Sequence, residues 1–247
     1  MNDLRVPKMI LFDFSGTLAA EPDENGLQGA EALLSYCEKN PRNLGARDLF
    51  RLAVGLWQEL SVPARRADRE IHEFQSIRLR NELLGLEFSI PPQQQELVFW
   101  EAYTPLVPMP HMEELLGFLE TRGIRKGVVS NIGFSGRTLA ARLARTLPGH
   151  EFAFIIASSE YGVRKPDPLI FQLALAKANL APEDIWFCGD NPRCDVEGAH
   201  AAGMFPVWYE ELTVEDPRRD ASAAVPACPH LHIHDWRELI EILKDLS

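Results

Sequence analysis

Short apolar runs that end in polar or glycine residues recur along the chain. The first run, residues 9–12, stands alone near the amino terminus and is followed by Asp13. From Arg125 onward, apolar runs alternate with stretches whose apolar residues recur at helical spacing. Strands that alternate with helices of roughly 10 to 15 residues predict an α/β fold, a doubly wound parallel sheet with helices on both faces. We predict strands at 9–12, 127–129, 152–157, 185–188 and 204–208, and helices at 136–145, 168–178 and 194–202.

The pattern changes between the first strand and the regular block. Residues 19–108 contain no convincing parallel strand, and apolar positions at helical spacing predict helices at 30–39, 46–60 and 67–84. Pro105, Pro108 and Pro110 mark the end of this stretch, and Gly123 ends the helix that follows. We therefore expect a helical insertion within the α/β domain. Near the carboxyl terminus, Asp235 and Glu238 form a capping box for a last helix.

Polar residues follow four of the predicted strands or open the helices after them. Asp13 follows the first strand, and Ser130 and Asn131 follow the second. Lys165 precedes a helix, and the fourth strand is followed by two acidic residues, Asp190 and Asp195. Ligands of open parallel sheets bind at the carboxyl ends of the strands, so we expect these side chains to share one crevice.

Composition and charge narrow the classes of function. The 247 residues are 46% hydrophobic and 25% charged, which is typical of a folded globular protein. The net charge of −11 makes nucleic acid and anionic membrane surfaces poor partners. A phosphate-bearing ligand would need a local cation to offset this charge. The first residues show no secretion signal and the four cysteines show no CxxC spacing, so we expect a cytoplasmic protein with reduced thiols.

The order of these motifs resembles that of the haloacid dehalogenase-like (HAD) hydrolase superfamily. The stretch Asp13-Phe14-Ser15-Gly16-Thr17-Leu18 is similar to the family's first motif, DxDGT followed by Leu or Val. Ser130 stands at the second motif, Lys165 at the third, and the fourth reads Gly189-Asp190-Asn191-Pro192-Arg193-Cys194-Asp195. The resemblance covers the whole chain. It implies a Rossmann-like core formed by residues 1–18 and 109–247, with residues 19–108 as an α-helical cap domain.

The resemblance also implies a role for each motif residue. Asp13 is expected to attack phosphorus and form an aspartyl-phosphate, while Lys165 supplies a fixed positive charge. The expected metal is Mg²⁺, held by Asp13, Asp190 and the main-chain carbonyl of Ser15, with Asp195 binding or orienting the metal's waters. Hydrogen bonds to the phosphoryl oxygens and the substrate are expected from Thr17, Ser130 and Asn131. The implied activity is hydrolysis of a small phosphorylated molecule.

One residue departs from the phosphatase pattern of this family. Phosphatases place a second Asp two residues after the nucleophile, where it acts as general acid and base, but this chain has Ser15. A hydroxyl is a poor base near neutral pH, so a contribution typically worth ~10² to 10⁴ in rate is expected to be missing. The first interpretation is therefore a Mg²⁺-dependent phosphatase that is slow or uses an atypical acid and base.

Two other interpretations stay open. The dehalogenase and phosphonoacetaldehyde hydrolase branches also lack the second Asp and cleave bonds from carbon to another atom. Dehalogenases need no metal, which conflicts with the retained Gly189-Asp190 motif, and the phosphonatase reaction needs a cap lysine, of which Lys39 is the only one here. The third interpretation is a catalytically weak protein that binds a phosphorylated ligand or has a regulatory role.

A histidine cluster and an arginine-rich stretch are two further candidates for ligand binding. His230, His232 and His234 alternate along the chain and would share one face of a strand, as zinc ligands do. No cysteine or acidic residue stands nearby at metal spacing, so we expect an exposed strand face. In the insertion, an arginine-rich run at 63–69 and the pair Arg78 and Arg80 favour a solvated helix face, and a cap arginine over the cleft is the alternative.

Overall fold

The computed structural model describes residues 4–212 and 225–246. Its central layer is a six-stranded sheet in which every neighbouring pair of strands is parallel. Strands are numbered in chain order through the whole molecule, so β2 to β5 lie outside this sheet. The sheet contains β1 (Met9–Phe12), β6 (Arg125–Ser130), β7 (Ile155–Ala157), β8 (Ile185–Gly189), β9 (Phe205–Tyr209) and β10 (Leu231–Ile233). Their order across the sheet is β10-β9-β8-β1-β6-β7. The predicted α/β fold is confirmed.

Helices cover both faces of this sheet. Those of the α/β part are α6 (Met112–Thr121), α7 (Gly136–Thr146), α8 (Pro168–Ala178), α9 (Gly198–Ala201) and α10 (Trp236–Asp245). On one face, Ile10 and Phe12 of β1 pack in a cluster with residues of α6, α7 and α10. On the other face, Met9 and Leu11 pack with residues of α8 and α9. Because side chains alternate along a strand, the apolar run of β1 fills both layers at once.

The segment between β1 and β6 is mainly helical. It contains α1 (Gly26–Leu34), α2 (Ala46–Leu56), α3 (Val62–Arg66), α4 (Glu73–Leu84) and α5 (Pro92–Tyr103), with a π-helical turn at Trp57–Ser61. Two small antiparallel pairs join it: β2 (Ala19–Ala20) with β5 (Val107–Pro108), and β3 (Cys37–Lys39) with β4 (Glu87–Phe88). The segment has a hydrophobic cluster of its own, which includes Leu33, Leu49 and Leu86.

Three predicted helices, two in this segment and one after β8, were placed wrongly. The helix predicted at 30–39 ends at Leu34, because Cys37–Lys39 pairs with the second strand of a hairpin. The helix predicted at 67–84 begins only at Glu73, because residues 67–72 bond to loops of the α/β part and Asp68 has a positive φ of 52°. The predicted helix at 194–202 is a π-helical stretch, Pro192–Glu197, followed by the short α9. The helix α5 was not predicted.

Other elements agree closely with the sequence patterns. The helix α8 has the predicted bounds, and Asp235 and Glu238 form the predicted capping box at the start of α10. Gly123 has a φ of 66°, which lets the chain leave α6 and enter β6. Within the described residues, no helix is long and apolar enough to span a bilayer.

Candidate active site

The loop after β1 forms a tight turn that directs its residues toward β8. The Leu18 N–H donates to the Phe14 carbonyl at 2.9 Å, and the Gly16 N–H donates to the Ala19 carbonyl at 3.0 Å. Gly16 has a φ of 76°, and a Cβ built on it would lie 2.8 Å from Oδ2 of Asp190. Glycine is therefore required here both by the backbone conformation and by the close approach of the carboxylate.

Three carboxylates meet at the carboxyl ends of β1 and β8. One oxygen from each of Asp13, Asp190 and Asp195 lies within 4.8 Å of the other two. Asp195 is brought in by the backbone of Gly189, where a Cβ would lie 2.3 Å from the Asp195 carboxyl carbon. The Asn191 N–H donates to Asp195 Oδ2 at 2.9 Å and fixes that side chain. The sequence prediction that these residues converge agrees with this geometry.

Lys165 lies at the centre of this group. Its Nζ is 2.6 Å from Oδ1 of Asp13 and 2.7 Å from Oδ1 of Asp195, and its side chain is only 1% exposed. Burial opposes the charge on Lys165, but Asp13 and Asp195 outweigh burial and hold its pKa above the ordinary value. The residue is thus a permanently charged ammonium. Its Nζ also lies over the ring of Phe187, 5.1 Å from the centroid.

One ammonium leaves the three carboxylates with excess negative charge. Burial, together with the charges of Asp13 and Asp195, raises the pKa of Asp190 well above its usual range. Burial also raises the pKa of Asp195 to about 6, with Lys165 lowering it and Asp13 raising it. A cluster of hard oxygen donors with unbalanced charge fits a divalent cation of the Mg²⁺ type. The residues present therefore fit the expected metal.

Asn131 is engaged with the backbone that carries Lys165. Its Nδ2 donates to the Lys165 carbonyl at 2.9 Å, and the Lys165 N–H donates to Asn131 Oδ1 at 2.7 Å. Its amide is thus used to position a neighbouring loop. The role in substrate binding that the sequence suggests stays a prediction.

The hydroxyl residues of the motifs occupy different surroundings. Thr17 is fully buried, and its Oγ1 donates to Asp190 Oδ1 at 3.4 Å. Ser130 is buried at the end of β6. Ser15 Oγ is buried and makes no hydrogen bond within the described part of the chain. It is therefore the one hydroxyl of the first motif with unused capacity to bind water or a ligand.

A segment of the helical insertion, residues 68–73, lies against the loops of this site. Asp68 pairs with Arg193 of the fourth-motif loop at 2.9 Å, and Arg69 pairs with Asp167 of the third-motif loop at 2.6 Å. The Glu73 N–H donates to the carbonyl of Gly133, next to the second motif, at 2.8 Å. The segment thus contacts all three later motifs and places the insertion beside the carboxylates.

Sequence reasoning missed the charged group beneath this contact. Glu70 has a fully buried carboxylate whose oxygens lie 3.0 Å from Arg65 Nε and 3.2 Å from Arg164 Nη1. Ser158 Oγ donates to the same carboxylate at 3.1 Å. The position of Arg164 directly before Lys165 could have drawn attention to it in the sequence, whereas Glu70 has no motif around it. Arg65, in the run at 63–69, is thus paired within the insertion, with a side chain that is 35% exposed.

Comparison with known proteins decides the family. A family model described as haloacid dehalogenase-like hydrolase matches residues 7–203. The chain belongs to this family. The HAD hydrolase described here is 41% identical over 91 residues to phosphoserine phosphatase of Thermus thermophilus, a match that covers 36% of this chain and only 33% of that protein. It is 26% identical over 201 residues to phosphoglycolate phosphatase 1 of Pseudomonas aeruginosa, with 81% of this chain and 68% of that protein covered.

The solved structures extend the similarity to the whole chain. A 2-haloacid dehalogenase from Pseudomonas syringae pv. tomato superposes with a TM-score of 0.58, covering 98% of this chain and all of the other at 24% identity. At this identity the match establishes the fold alone. The HAD fold and the hydrolase class are thus established for this chain.

Proposed function

We propose that this hydrolase cleaves a small phosphorylated molecule through an aspartyl-phosphate on Asp13. The observation that carries the proposal is the placement of a buried ammonium, Lys165, 2.6 Å from the Asp13 carboxylate within a cluster of metal-type ligands. The adjacent ammonium holds this carboxylate in one orientation, as a nucleophile must be. The phosphatase names of the relatives support the same reaction class.

The chain's own residues supply most of the proposed mechanism. Asp13 attacks phosphorus through one carboxylate oxygen, and the leaving group departs in line from the opposite side. Lys165 holds Asp13 in place and offsets the charge of the transferring phosphoryl group. Ser130 donates a hydrogen bond to a phosphoryl oxygen while Thr17 keeps its hydrogen bond to Asp190, and water then attacks phosphorus to release phosphate and restore Asp13.

Mg²⁺ is the proposed cofactor. Asp13, Asp190 and the Ser15 main-chain carbonyl would hold it, with Asp195 orienting its waters and Lys165. When bound, the ion offsets the repulsion between the phosphate dianion and the attacking carboxylate. Burial, with the charge of Asp13 adding to it, raises the pKa values of Asp190 and Asp195, and such an ion would favour their ionised forms.

Ser15 shapes the expected rate. It provides no carboxyl group to protonate the leaving group or to activate water, so both half-reactions lose a general acid or base. Its Oγ makes no hydrogen bond among the described residues and so has the bonding capacity to hold a water that would take over part of this role. We therefore propose slow turnover, fastest for substrates whose leaving group needs no protonation.

We propose that residues 19–108 act as the cap and residues 1–18 and 109–247 as the core. The contacts of residues 68–73 with the motif loops support this division. Two arginines, Arg65 and Arg164, share the single carboxylate of Glu70, which leaves one positive charge in excess at this contact. A Cβ built on Gly133 would lie 3.8 Å from Arg65 Nη2, so this guanidinium borders the second-motif loop. The arrangement favours small anionic substrates.

A substrate panel tests the proposal. Purified protein with Mg²⁺ is assayed for phosphate release from p-nitrophenyl phosphate, acetyl phosphate, phosphoserine and phosphoglycolate, with Asp13→Asn as the matched control. Turnover in the wild type that is absent from Asp13→Asn supports the proposal. Equal rates in both proteins across the panel contradict it and favour a phospho-ligand-binding role. Halide release from a 2-haloacid in the presence of chelator would instead assign the chain to dehalogenase chemistry.

A further inference from the structure

A second cluster of metal-type ligands lies at the edge of the sheet, outside the three aspartates. Ligand atoms of Glu210, His232 and His234 all lie within 4.8 Å of one another. The sequence shows no acidic ligand at metal spacing beside these histidines, but the fold brings Glu210 to them. Parallel pairing of β10 with β9 places Ile233 beside Tyr209, which brings Glu210, the next residue, to the end of β10. Sequence spacing alone does not show this contact, since it joins two separate strands.

The rings of the two histidines lie side by side at the end of β10. His232 is in the strand and His234 directly follows it, while Ile233 between them is 1% exposed and packs in the core. Their ring centroids are 4.5 Å apart. Both histidines are exposed, so an ion can reach them without any opening of the fold.

Hydrogen bonds orient the rings of both histidines in the cluster. His234 Nδ1 lies 2.8 Å from the main-chain carbonyl of Glu210. A carbonyl oxygen only accepts, so Nδ1 carries the proton and Nε2 of the neutral ring keeps a free lone pair. This is the arrangement by which metal-binding histidines are oriented. His232 Nε2 lies 2.9 Å from Glu210 Oε2, so these two ligand atoms are already as close as neighbouring ligands of one ion.

The spacing suits one class of ion. Tetrahedral zinc with Zn–N distances of about 2.0–2.1 Å keeps its ligand atoms roughly 3.4 Å apart. This value lies between the 2.9 Å that separates His232 Nε2 from Glu210 Oε2 and the 4.8 Å within which all three ligand atoms lie. Two imidazoles and one carboxylate favour zinc over magnesium, which prefers oxygen ligands. Solvent exposure leaves the remaining coordination position to water.

We propose that Glu210, His232 and His234 form a zinc-binding site that joins the ends of β9 and β10. The ion would lie one aromatic ring away from the fourth motif. Trp208 stacks on His232 with centroids 4.0 Å apart, and its Nε1 donates to the Asp190 main-chain carbonyl at 3.2 Å. The site is chemically distinct from the carboxylate cluster around Lys165, and it does not depend on the phosphatase proposal.

Isothermal titration with Zn²⁺ in excess Mg²⁺ tests the site, because Mg²⁺ would compete with Zn²⁺ for the carboxylate oxygens of the three aspartates. The wild type is expected to bind one Zn²⁺ per chain. His232→Gln and His234→Gln are each expected to weaken binding at least about tenfold, as loss of groups in a metal site does. His230→Gln is the matched control, because His230 directly precedes β10 and its Nδ1 is 2.8 Å from the Cys228 carbonyl, outside the cluster.

The melting temperature gives a second measurement. Zn²⁺ is expected to raise it for the wild type and His230→Gln but not for the double variant of His232 and His234, since an ion that binds only the folded state stabilises it. Circular dichroism without zinc checks that each variant folds. The proposal is overturned if the wild type shows no saturable binding, or if binding survives in the double variant and is lost in Asp190→Asn.

Discussion

Asn131 and Lys165 are joined by a reciprocal pair of hydrogen bonds between the second and third motifs. The Asn131 amide donates to the Lys165 carbonyl and accepts from the Lys165 N–H, at 2.9 and 2.7 Å. Both bonds go to the backbone, so the Lys165 side chain is free to extend to Asp13 and Asp195. The position of the buried ammonium therefore depends on a residue from another strand.

Removal of the Asn131 amide should loosen this arrangement. In Asn131→Ala, we expect kcat to fall about 10- to 100-fold, because misplacement of a catalytic group by about 1 Å has effects of this size. The pH profile of kcat should keep its shape, since every titrating group of the site remains. Steady-state kinetics on p-nitrophenyl phosphate measure both quantities. A kcat equal to that of the wild type would show that the two bonds do not position Lys165.

The ammonium itself can be replaced by an isosteric apolar chain. We expect Lys165→Met to lose about 10²- to 10³-fold in kcat, the usual cost of removing one preorganised electrostatic group. The variant's three carboxylates would lack their cation, so Mg²⁺ should raise its melting temperature more than that of the wild type. Lys177→Met, which alters an exposed lysine on α8, is the control. Wild-type turnover in Lys165→Met would exclude the proposed role.

With Ser15 in the first motif, the site keeps the groups proposed to bind phosphate but lacks the carboxyl group that would transfer protons. Restoring a carboxyl group in Ser15→Asp should raise the rate on alkyl phosphates, whose leaving groups need protonation, by about 10²- to 10⁴-fold, the usual contribution of general acid catalysis. The gain on acetyl phosphate should be smaller. Ser15→Asn, which has the same shape and no acid, is the matched control. Equal rates in the Asp and Asn variants would contradict this explanation.

Glu73 at the start of α4 predicts a pH-dependent stability. Burial raises the pKa of its carboxyl from 4.5 to about 7, while Arg80 lowers it and Glu96 raises it. The folded protein then binds this proton more tightly than the unfolded chain, so the free energy of unfolding should fall as the pH rises from 4.5 to 7. Glu73→Gln should remove this loss and stabilise the protein above pH 7 by roughly 1–3 kcal/mol.

Urea unfolding as a function of pH measures this effect. Glu82→Gln is the control, because Glu82 lies on the same helix with a side chain that is 66% exposed. The difference between Glu73→Gln and the wild type should vanish below pH 4.5, where both side chains are neutral. A difference that is the same at every pH would show that the carboxyl of Glu73 does not titrate as stated.

The sequence predicted the α/β core and the convergence of its motifs well, and it predicted the insertion poorly. The core strands are predictable because continuous apolar runs such as residues 9–12 are buried on both faces of the sheet, which is the pattern of a central strand. Residues 67–72 have helical spacing, but bonds to the α/β part through Arg69 and Glu70 outweigh that local preference. Contacts between distant segments, such as Glu70 with Arg164 or Glu210 with His232, have no periodic signature and appear only in the folded chain.

The central claim is that Asp13 becomes phosphorylated during turnover. Acetyl phosphate is the sharpest probe, because its leaving group needs no acid, whereas release of phosphate from Asp13 lacks the base that Ser15 replaces. The phosphorylated enzyme should therefore accumulate with Mg²⁺, and acid quenching followed by peptide mass spectrometry should find the phosphoryl group on Asp13. We expect less of it in Ser15→Asp and none in Asp13→Asn. Steady phosphate release without any phosphorylated Asp13, or equal release by Asp13→Asn, would contradict the proposed mechanism.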